Sequence, residues 1–153
     1  MAKKILIPTD GSEAAEKAAE FAIENAHDCG YEIICMSVIR PVEAVIGNSL
    51  EFLFVEKKDS IARELLEAGK RAVKSIADKA SKKGLSVKTL VIESEKIEKA
   101  IAETAKKEGV YQIYLGMHGE SCSLLVSSEV GSVTRRLLAL PPPCPVTVIP
   151  PEN

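Results

Sequence analysis

The sequence has no tryptophan, and aromatic residues of all kinds make up only 4% of it. It also lacks an excess of either charge, since its formal net charge is −2. Proteins that neutralise nucleic-acid phosphates usually carry a basic excess, so we expect no nucleic-acid partner. No apolar run is long enough to cross a bilayer, and the apolar stretch Ile5-Leu6-Ile7 is too short for a signal peptide. We therefore expect no membrane association and a cytoplasmic protein.

Cysteine pairs with the spacing of metal ligands are also missing. The chain has four cysteines, none in a C-x-x-C pair and none near a histidine cluster. This spacing argues against a metal site, and a disulfide framework is not expected in a cytosolic chain of this length. Cys35 and Cys144 lie in or beside apolar runs and are predicted to be small core residues.

The common nucleotide and nucleophile motifs are absent as well. The chain contains no G-x-G-x-x-G, no G-x-x-x-x-G-K-[ST] and no G-x-S-x-G. A Rossmann dinucleotide site, a P-loop and a nucleophile elbow are therefore unsupported.

What the chain does have is a regular alternation of apolar strands and amphipathic helices. Its 153 residues, 46% of them apolar, suit one domain with a real core. This order predicts a single α/β domain with a parallel sheet and helices on both faces. Strands are predicted at 3–8, 32–39, 85–92, 111–115 and 145–149; helices are predicted between Ser12 and Gly30, from about 57 to 83, from about 96 to 107, and from about Gly131 to Pro141.

Two loops after predicted strands carry ligand-type residues. Pro8-Thr9-Asp10-Gly11-Ser12 follows the first strand, and Gly116-Met117-His118-Gly119 follows the fourth. Gly131-Ser132-Val133 opens the helix after the second loop, and a glycine at a helix start favours phosphate binding. Ligands of open parallel sheets bind at the carboxyl ends of strands where the strand order reverses. If the first and fourth strands are neighbours, both loops line one crevice.

Plainer interpretations of the same residues remain open. Asp10-Gly11-Ser12 is also ordinary turn-and-cap chemistry, with Ser12 capping the first helix. Gly116 and Gly119 are also ordinary turn glycines. His118 lies in the glycine turn, where it could touch a ligand.

The segments Lys4–Ser12, Gly116–Gly119, Gly131–Val133 and Pro143–Ile149 together make the chain resemble the universal stress protein family over essentially its whole length. The resemblance implies a five-stranded parallel sheet in the order 3-2-1-4-5, within a domain of residues 1–150 followed by a short tail, 151–153. It also implies homodimers formed through the last strand, 145–149.

The resemblance extends to the ATP-binding branch of that family, whose pattern is G-x2-G-x9-G-[ST]. By position, Gly116, Gly119, Gly131 and Ser132 would hold the phosphates of ATP or a related nucleotide. Asp10 would serve the ribose or a phosphate-bound Mg²⁺ or Mn²⁺ ion. The backbone of Val38 would meet the adenine. The pocket would be completed by Pro8, Thr9, His118 and Val133.

The sequence departs from that pattern between the glycines. Eleven residues separate Gly119 from Gly131, and this loop contains Glu120 and Glu129 but no Lys or Arg. A misplaced carboxylate here would oppose phosphate binding. Three functions stay open: a nucleotide-binding stress protein with little turnover, a slow ATP hydrolase using Asp10 and a metal, and a member that has lost nucleotide binding and works as a dimeric protein-interaction module.

One apolar segment lies outside this scheme. Residues 50–55 hold Phe52 and Phe54, two of the three phenylalanines in the chain. We expect them to pack on their own domain, with a contact to a second subunit or partner as the alternative.

Overall fold

The computed structural model describes residues 2–46, 55–117 and 131–151, except for the side chains of 46, 55 and 56. Strands and helices alternate along them. The strands are β1 (Lys4–Pro8), β2 (Glu32–Ile39), β3 (Val87–Glu93), β4 (Gln112–Gly116) and β5 (Val146–Ile149), and the helices are α1 (Glu13–Cys29), α2 (Val42–Ile46), α3 (Val55–Lys82), α4 (Ile97–Glu108) and α5 (Ser132–Ala139).

The five strands form one parallel sheet in the order β3-β2-β1-β4-β5. Ile5 of β1 lies opposite Ile33 of β2 on one side and Gln112 of β4 on the other. The predicted fold class and strand order are therefore confirmed, and β1 and β4 are neighbours at the centre of the sheet.

The central strands read as continuous apolar runs because both faces of the sheet are covered. On one face, Ile5 and Ile7 pack with α1 and α3 in a cluster that contains buried Cys35. On the other, Leu6 and Ile113 pack with α4 and α5. The helices thus change face between β1 and β4, where the strand order reverses.

Helix α1 begins and ends where its sequence signals lie. The Ser12 hydroxyl accepts a hydrogen bond from the backbone N–H of Ala15 at 3.1 Å, and Gly30 adopts a left-handed conformation with φ 73°. Between these caps, the buried residues are almost all alanine, which lets the helix lie close to the sheet. They are Ala15, Ala18, Ala19, Ala22, Ile23 and Ala26.

The thiol of Cys35 is fully buried in the core. Burial in the core raises the pKa of Cys35 to about 12, and the carboxylate of Glu16 adds to this shift. Cys35 therefore acts as a small apolar core residue, as predicted. Cys144 is partly buried and packs against the opposite cluster.

The structure corrects two predicted boundaries. The stretch after Pro41, predicted to be irregular, contains the short helix α2. Strand β3 begins at Val87, not at Leu85, because the Leu85 N–H donates to the carbonyl of Ala80 in the turn that ends α3. Residues 50–54, including Phe52 and Phe54, lie outside the described residues.

Over the residues that the structure describes, no helix is both long enough and apolar enough to cross a membrane.

Candidate functional site

The reversal of strand order lies between β1 and β4, so the loops that follow these two strands start side by side. This is where ligands bind in open parallel sheets. Of the predicted site residues, Pro8 ends β1, Gly116 ends β4, and Gly131 with Ser132 and Val133 begins α5. The topology therefore brings these predicted residues to one edge of the sheet.

The loop after β1 is held by a backbone bond to β2 and by its own side chains. The Thr9 N–H donates to the carbonyl of Met36 on β2 at 2.8 Å, and the Thr9 hydroxyl oxygen accepts from the Gly11 N–H at 3.1 Å. The exposed Asp10 carboxylate accepts from the Ser12 N–H at 2.9 Å. Gly11 has φ 81°, a left-handed conformation that favours glycine. Turn-and-cap chemistry is therefore present, and it fixes where the Asp10 carboxylate lies.

The end of β4 is tied directly to the start of α5. The Gly131 N–H donates to the carbonyl of Met117 at 2.7 Å, and the buried hydroxyl of Thr134 donates to the carbonyl of Gly116 at 3.0 Å. The Met117 N–H in turn donates to the carbonyl of Ile149 on β5 at 2.9 Å. These bonds join the two ends of the 118–130 loop, so Gly116 and Gly131 lie together although fourteen positions separate them in the chain.

The two helices that start at this edge differ in how their first turns are capped. In α1, the Ser12 side chain accepts from Ala15. In α5, the cap residue is Gly131, which has no side chain to offer. The N–H groups of Ser132, Val133 and Thr134 precede the first bond within the helix, from Arg135 to the Gly131 carbonyl at 3.0 Å. Their partial positive charge makes the α5 start the better place for an anion.

Val38 lies near the carboxyl end of β2, two residues beyond Met36, whose carbonyl accepts from Thr9. It packs against the α4 and α5 side of the sheet. The next residue, Ile39, faces α3 at Gly69, where a Cβ built on the glycine would lie 2.9 Å from the Ile39 Cγ2. The backbone around Val38 is therefore supported from both faces.

Helix α3 contacts the loop after β1 as well, a role that sequence reasoning missed. A Cβ built on Gly11 would lie 3.5 Å from the Cβ of Ala72. The available signal was Gly69 itself, because a glycine inside a long helix lowers its stability and usually has a packing reason.

An ion pair holds α2 against the start of α3 near this edge. The Lys58 ammonium lies 3.2 Å from the Glu43 carboxylate. Hydrogen bonds from its own backbone N–H and then from Lys58 hold the pKa of Glu43 below its usual range. Because the Glu43 side chain is 52% exposed, this pair orients the helix more than it stabilises the fold.

His118 and Gly119, together with Glu120 and Glu129, lie outside the described residues. Within the part of the chain that the structure describes, no group of three or more His, Cys, Asp or Glu residues could hold a metal ion. Asp10 supplies one carboxylate, which suits Mg²⁺ held mainly by ligand phosphates better than a metal held by protein side chains alone.

Residues 1–150 match the model of the universal stress protein family. Universal stress protein YxiE of Bacillus subtilis is 27% identical over 151 residues, covering 97% of this chain and 99% of that protein. Universal stress protein MJ0531 of Methanocaldococcus jannaschii is 31% identical over 147 residues, covering 96% of this chain and 81% of that protein. The solved structure of hypothetical protein MJ0577 superposes with a TM-score of 0.78 at 30% identity, covering 100% of this chain and 99% of the other.

Two more distant structures with the same fold contain nucleotides. A universal stress protein in complex with cAMP has a TM-score of 0.62 at 17% identity, covering 97% of this chain and 96% of that one. The universal stress protein of Archaeoglobus fulgidus in complex with dAMP has a TM-score of 0.58 at 22% identity, covering 97% and 98%. At these identities the likeness is one of fold.

Proposed function

The chain belongs to the universal stress protein family, and from this premise we propose that it binds ATP or a related adenine nucleotide with little or no turnover. The ligand lies in the crevice between the loops after β1 and β4. The observation that carries this proposal is the start of α5 beside the reversal of strand order, where the glycine cap has no side chain to bind the first-turn amides.

In this proposal the phosphates lie against α5. The amides of Ser132 and Val133 bind phosphate oxygens, and Gly116 and Gly119 let the β4 loop approach them closely. The bond from Thr134 to the Gly116 carbonyl keeps the two sides of this cradle together. His118 lies between Gly116 and Gly119 in the sequence, and in this proposal its side chain contacts the phosphates.

The nucleoside occupies the other half of the crevice. Asp10, fixed by the Ser12 N–H, binds a ribose hydroxyl or a phosphate-bound Mg²⁺ or Mn²⁺ ion. The backbone of Val38 meets the adenine, and Pro8, Thr9 and Val133 line the space between. Proteins of the same fold were solved with cAMP and dAMP. These complexes favour an adenine nucleotide over other phosphorylated ligands.

Turnover is expected to be slow at most. Efficient phosphoryl transfer needs a group that positions the attacking water and a cluster of charges around the transferred phosphoryl group. Asp10 with a metal ion is the one pairing that the described part of the site offers. A binding protein with residual hydrolysis fits this chemistry better than an ATPase, and a cytoplasmic location would give it ATP.

The decisive experiment is calorimetry with ATP, ADP and AMP, each with and without Mg²⁺. We expect saturable binding of ATP. ADP and then AMP should bind more weakly, because each has fewer phosphate oxygens to accept hydrogen bonds from the α5 amides. The absence of saturable binding for all three nucleotides would sink the proposal. It would leave a dimeric protein-interaction module as the function.

We also propose that the chain forms a homodimer through β5. This strand is at the edge of the sheet. The carbonyl of Pro145 accepts from Ile113 of β4 at 3.0 Å, and the carbonyl of Ile149 accepts from Met117, just after β4, at 2.9 Å. Because strand residues alternate in direction, Val146 and Val148 direct their backbone groups away from β4, to the open edge. An open edge of this kind favours pairing with a second chain.

The substitution Val148→Pro tests this dimer without removing the strand. Proline deletes an outward N–H donor and leaves the bonds to β4 in place. We expect the variant to sediment as a monomer with an unchanged circular dichroism spectrum, while the matched control Val148→Thr, which keeps the N–H, stays dimeric. A folded Val148→Pro dimer at the same concentration would refute pairing through this edge.

A further inference from the structure

One turn of α3 lies against the two walls of the nucleoside half of the proposed crevice, the carboxyl end of β2 and the loop after β1. At Gly69, a built Cβ would lie 2.9 Å from the Ile39 Cγ2 and 3.1 Å from the Val91 Cγ1, which places the helix backbone against the carboxyl ends of β2 and β3. Three residues later, the Cβ of Ala72 lies 3.5 Å from the position of a Cβ on Gly11, in the loop after β1. The same turn therefore supports the base side and the ribose side of the crevice.

The contact at Gly69 has no room for a larger side chain. Ile39 and Val91 are β-branched, so their side chains have few alternative rotamers with which to yield to a methyl group on Gly69. Ala72 is buried, with 6% of its surface exposed, and Gly11 holds a left-handed conformation. An added carbon on Gly69 forces a shift of Ile39, Val91 or the α3 backbone, whereas a carbon on Gly11 would meet Ala72 at ordinary van der Waals distance.

These walls carry the residues that the proposed function assigns to the nucleoside. Val38 precedes Ile39, and Asp10 precedes Gly11. Since a nucleoside is a rigid spacer between its base and its ribose hydroxyls, both groups bind well only at one separation of the walls.

We propose that Gly69 and Ala72 are positioning residues that set this separation, and that they fit the crevice to a purine nucleotide held at both ends. A pyrimidine is one ring shorter, so it reaches only one wall at a time. This inference rests on the proposed function for the identity of the ligand. The link between the two walls through α3 is a property of the protein without ligand.

The test compares wild type with Gly69→Ala by calorimetry, using MgATP and MgCTP as probes. We expect the affinity for ATP to fall about tenfold, since misplacement of about 1 Å can cost about a hundredfold at a well-fitted site. CTP affinity should change much less, so the ratio of ATP to CTP affinity falls. A substitution that only lowers the folded fraction would leave this ratio unchanged.

Two further variants keep the test independent of folding defects. Ala72→Gly removes the methyl group that faces Gly11 and introduces no clash, and it should also lower the affinity ratio. In the double variant Gly69→Ala, Ile39→Ala, the Ile39 methyl group that clashes with the new alanine is absent. We expect this double variant to bind ATP more tightly than Gly69→Ala alone. The matched control is Ala68→Val, at an exposed neighbouring position on the same helix.

A readout without nucleotide separates this inference from the proposed function. The Thr9 N–H bonds to the Met36 carbonyl at 2.8 Å and the Ser94 N–H to the Ile39 carbonyl at 2.9 Å, so amide exchange at these positions reports on the two walls. We expect faster exchange at Ser94 in Gly69→Ala and at Thr9 in Ala72→Gly. If exchange changes but wild type binds no nucleotide, the proposed function fails and the structural link stands. The positioning role is overturned if wild type binds ATP and the variants do not differ from it in ATP affinity, in the ratio of ATP to CTP affinity, or in amide exchange at Thr9 and Ser94.

Discussion

Replacing Gly131 by aspartate should raise the stability of the free protein and lower its affinity for nucleotide. Gly131 caps α5 with φ −55° and ψ 152°, an extended conformation that any L-residue adopts. The backbone therefore does not require glycine here. An aspartate at this position can accept hydrogen bonds from the first-turn N–H groups, as the Ser12 hydroxyl does in α1.

The two effects differ in size as well as in sign. Exchanging a glycine cap for aspartate is worth a few tenths of a kcal/mol, and a carboxylate at a helix start adds about 0.3–1 kcal/mol. The sum, about 1 kcal/mol, corresponds to a rise in Tm of about 2–4 °C for a chain of this size. A carboxylate about 4 Å from a phosphate opposes binding by about 1–4 kcal/mol at an effective dielectric constant between 80 and 20. We therefore expect affinity for ATP to fall by about tenfold or more.

Thermal unfolding of the free protein and calorimetry with MgATP measure the two quantities separately. Gly131→Ser is the matched control, since it caps the helix without adding charge and should keep more of the affinity. The reasoning is refuted if Gly131→Asp binds ATP as tightly as wild type, because the phosphates would then lie elsewhere than at the α5 amides.

The remaining predictions concern buried groups. Thr134→Val leaves the Gly116 carbonyl without its hydroxyl donor and should lower the free energy of unfolding in urea by about 1–3 kcal/mol, whereas Thr134→Ser should not. Cys35 keeps its proton in the folded state up to a pKa of about 12, while an unfolded thiol loses it from about 9 upward. The unfolded state then binds fewer protons in this window, so the free energy of unfolding should fall as pH rises through it. Urea titrations between about pH 8 and 10.5 should show a shallower fall for Cys35→Ala, and parallel curves would contradict the burial argument.

The order of elements could be predicted because their ends carry local chemical signals. Gly30, Gly84 and Gly109 all adopt left-handed conformations at the ends of helices. The same signals explain one error at β3. Leu85 follows Gly84, donates back to Ala80 and packs against the core, so its apolar character belongs to the end of α3 and not to a strand. Helix α2 was missed because five residues are too few to show a helical period.

The candidate site was predictable only in its local parts. Asp10 with its turn and Gly131 at a helix start are visible in the sequence, because each depends on neighbours within four residues. The contact of Ala72 with Gly11 joins positions far apart in the chain, and no periodicity reports such a contact. The same holds for the hydroxyl of Thr134, whose partner is the Gly116 carbonyl across the 118–130 loop.

The long gap between the glycines is compatible with nucleotide binding on the geometry of its two ends. The bond between Gly131 and Met117, at 2.7 Å, closes the loop at its base, and the bond from Thr134 to Gly116 repeats that closure one residue further out. Lengthening a closed loop from nine residues to eleven costs only about 0.2 kcal/mol of closure entropy. The α5 amides proposed to bind phosphate therefore need not change their relation to β4 when the loop grows from nine to eleven residues. If the proposed function holds, we therefore expect the charge of Glu120 and Glu129, rather than the two additional residues, to be the feature of this loop that opposes a phosphate.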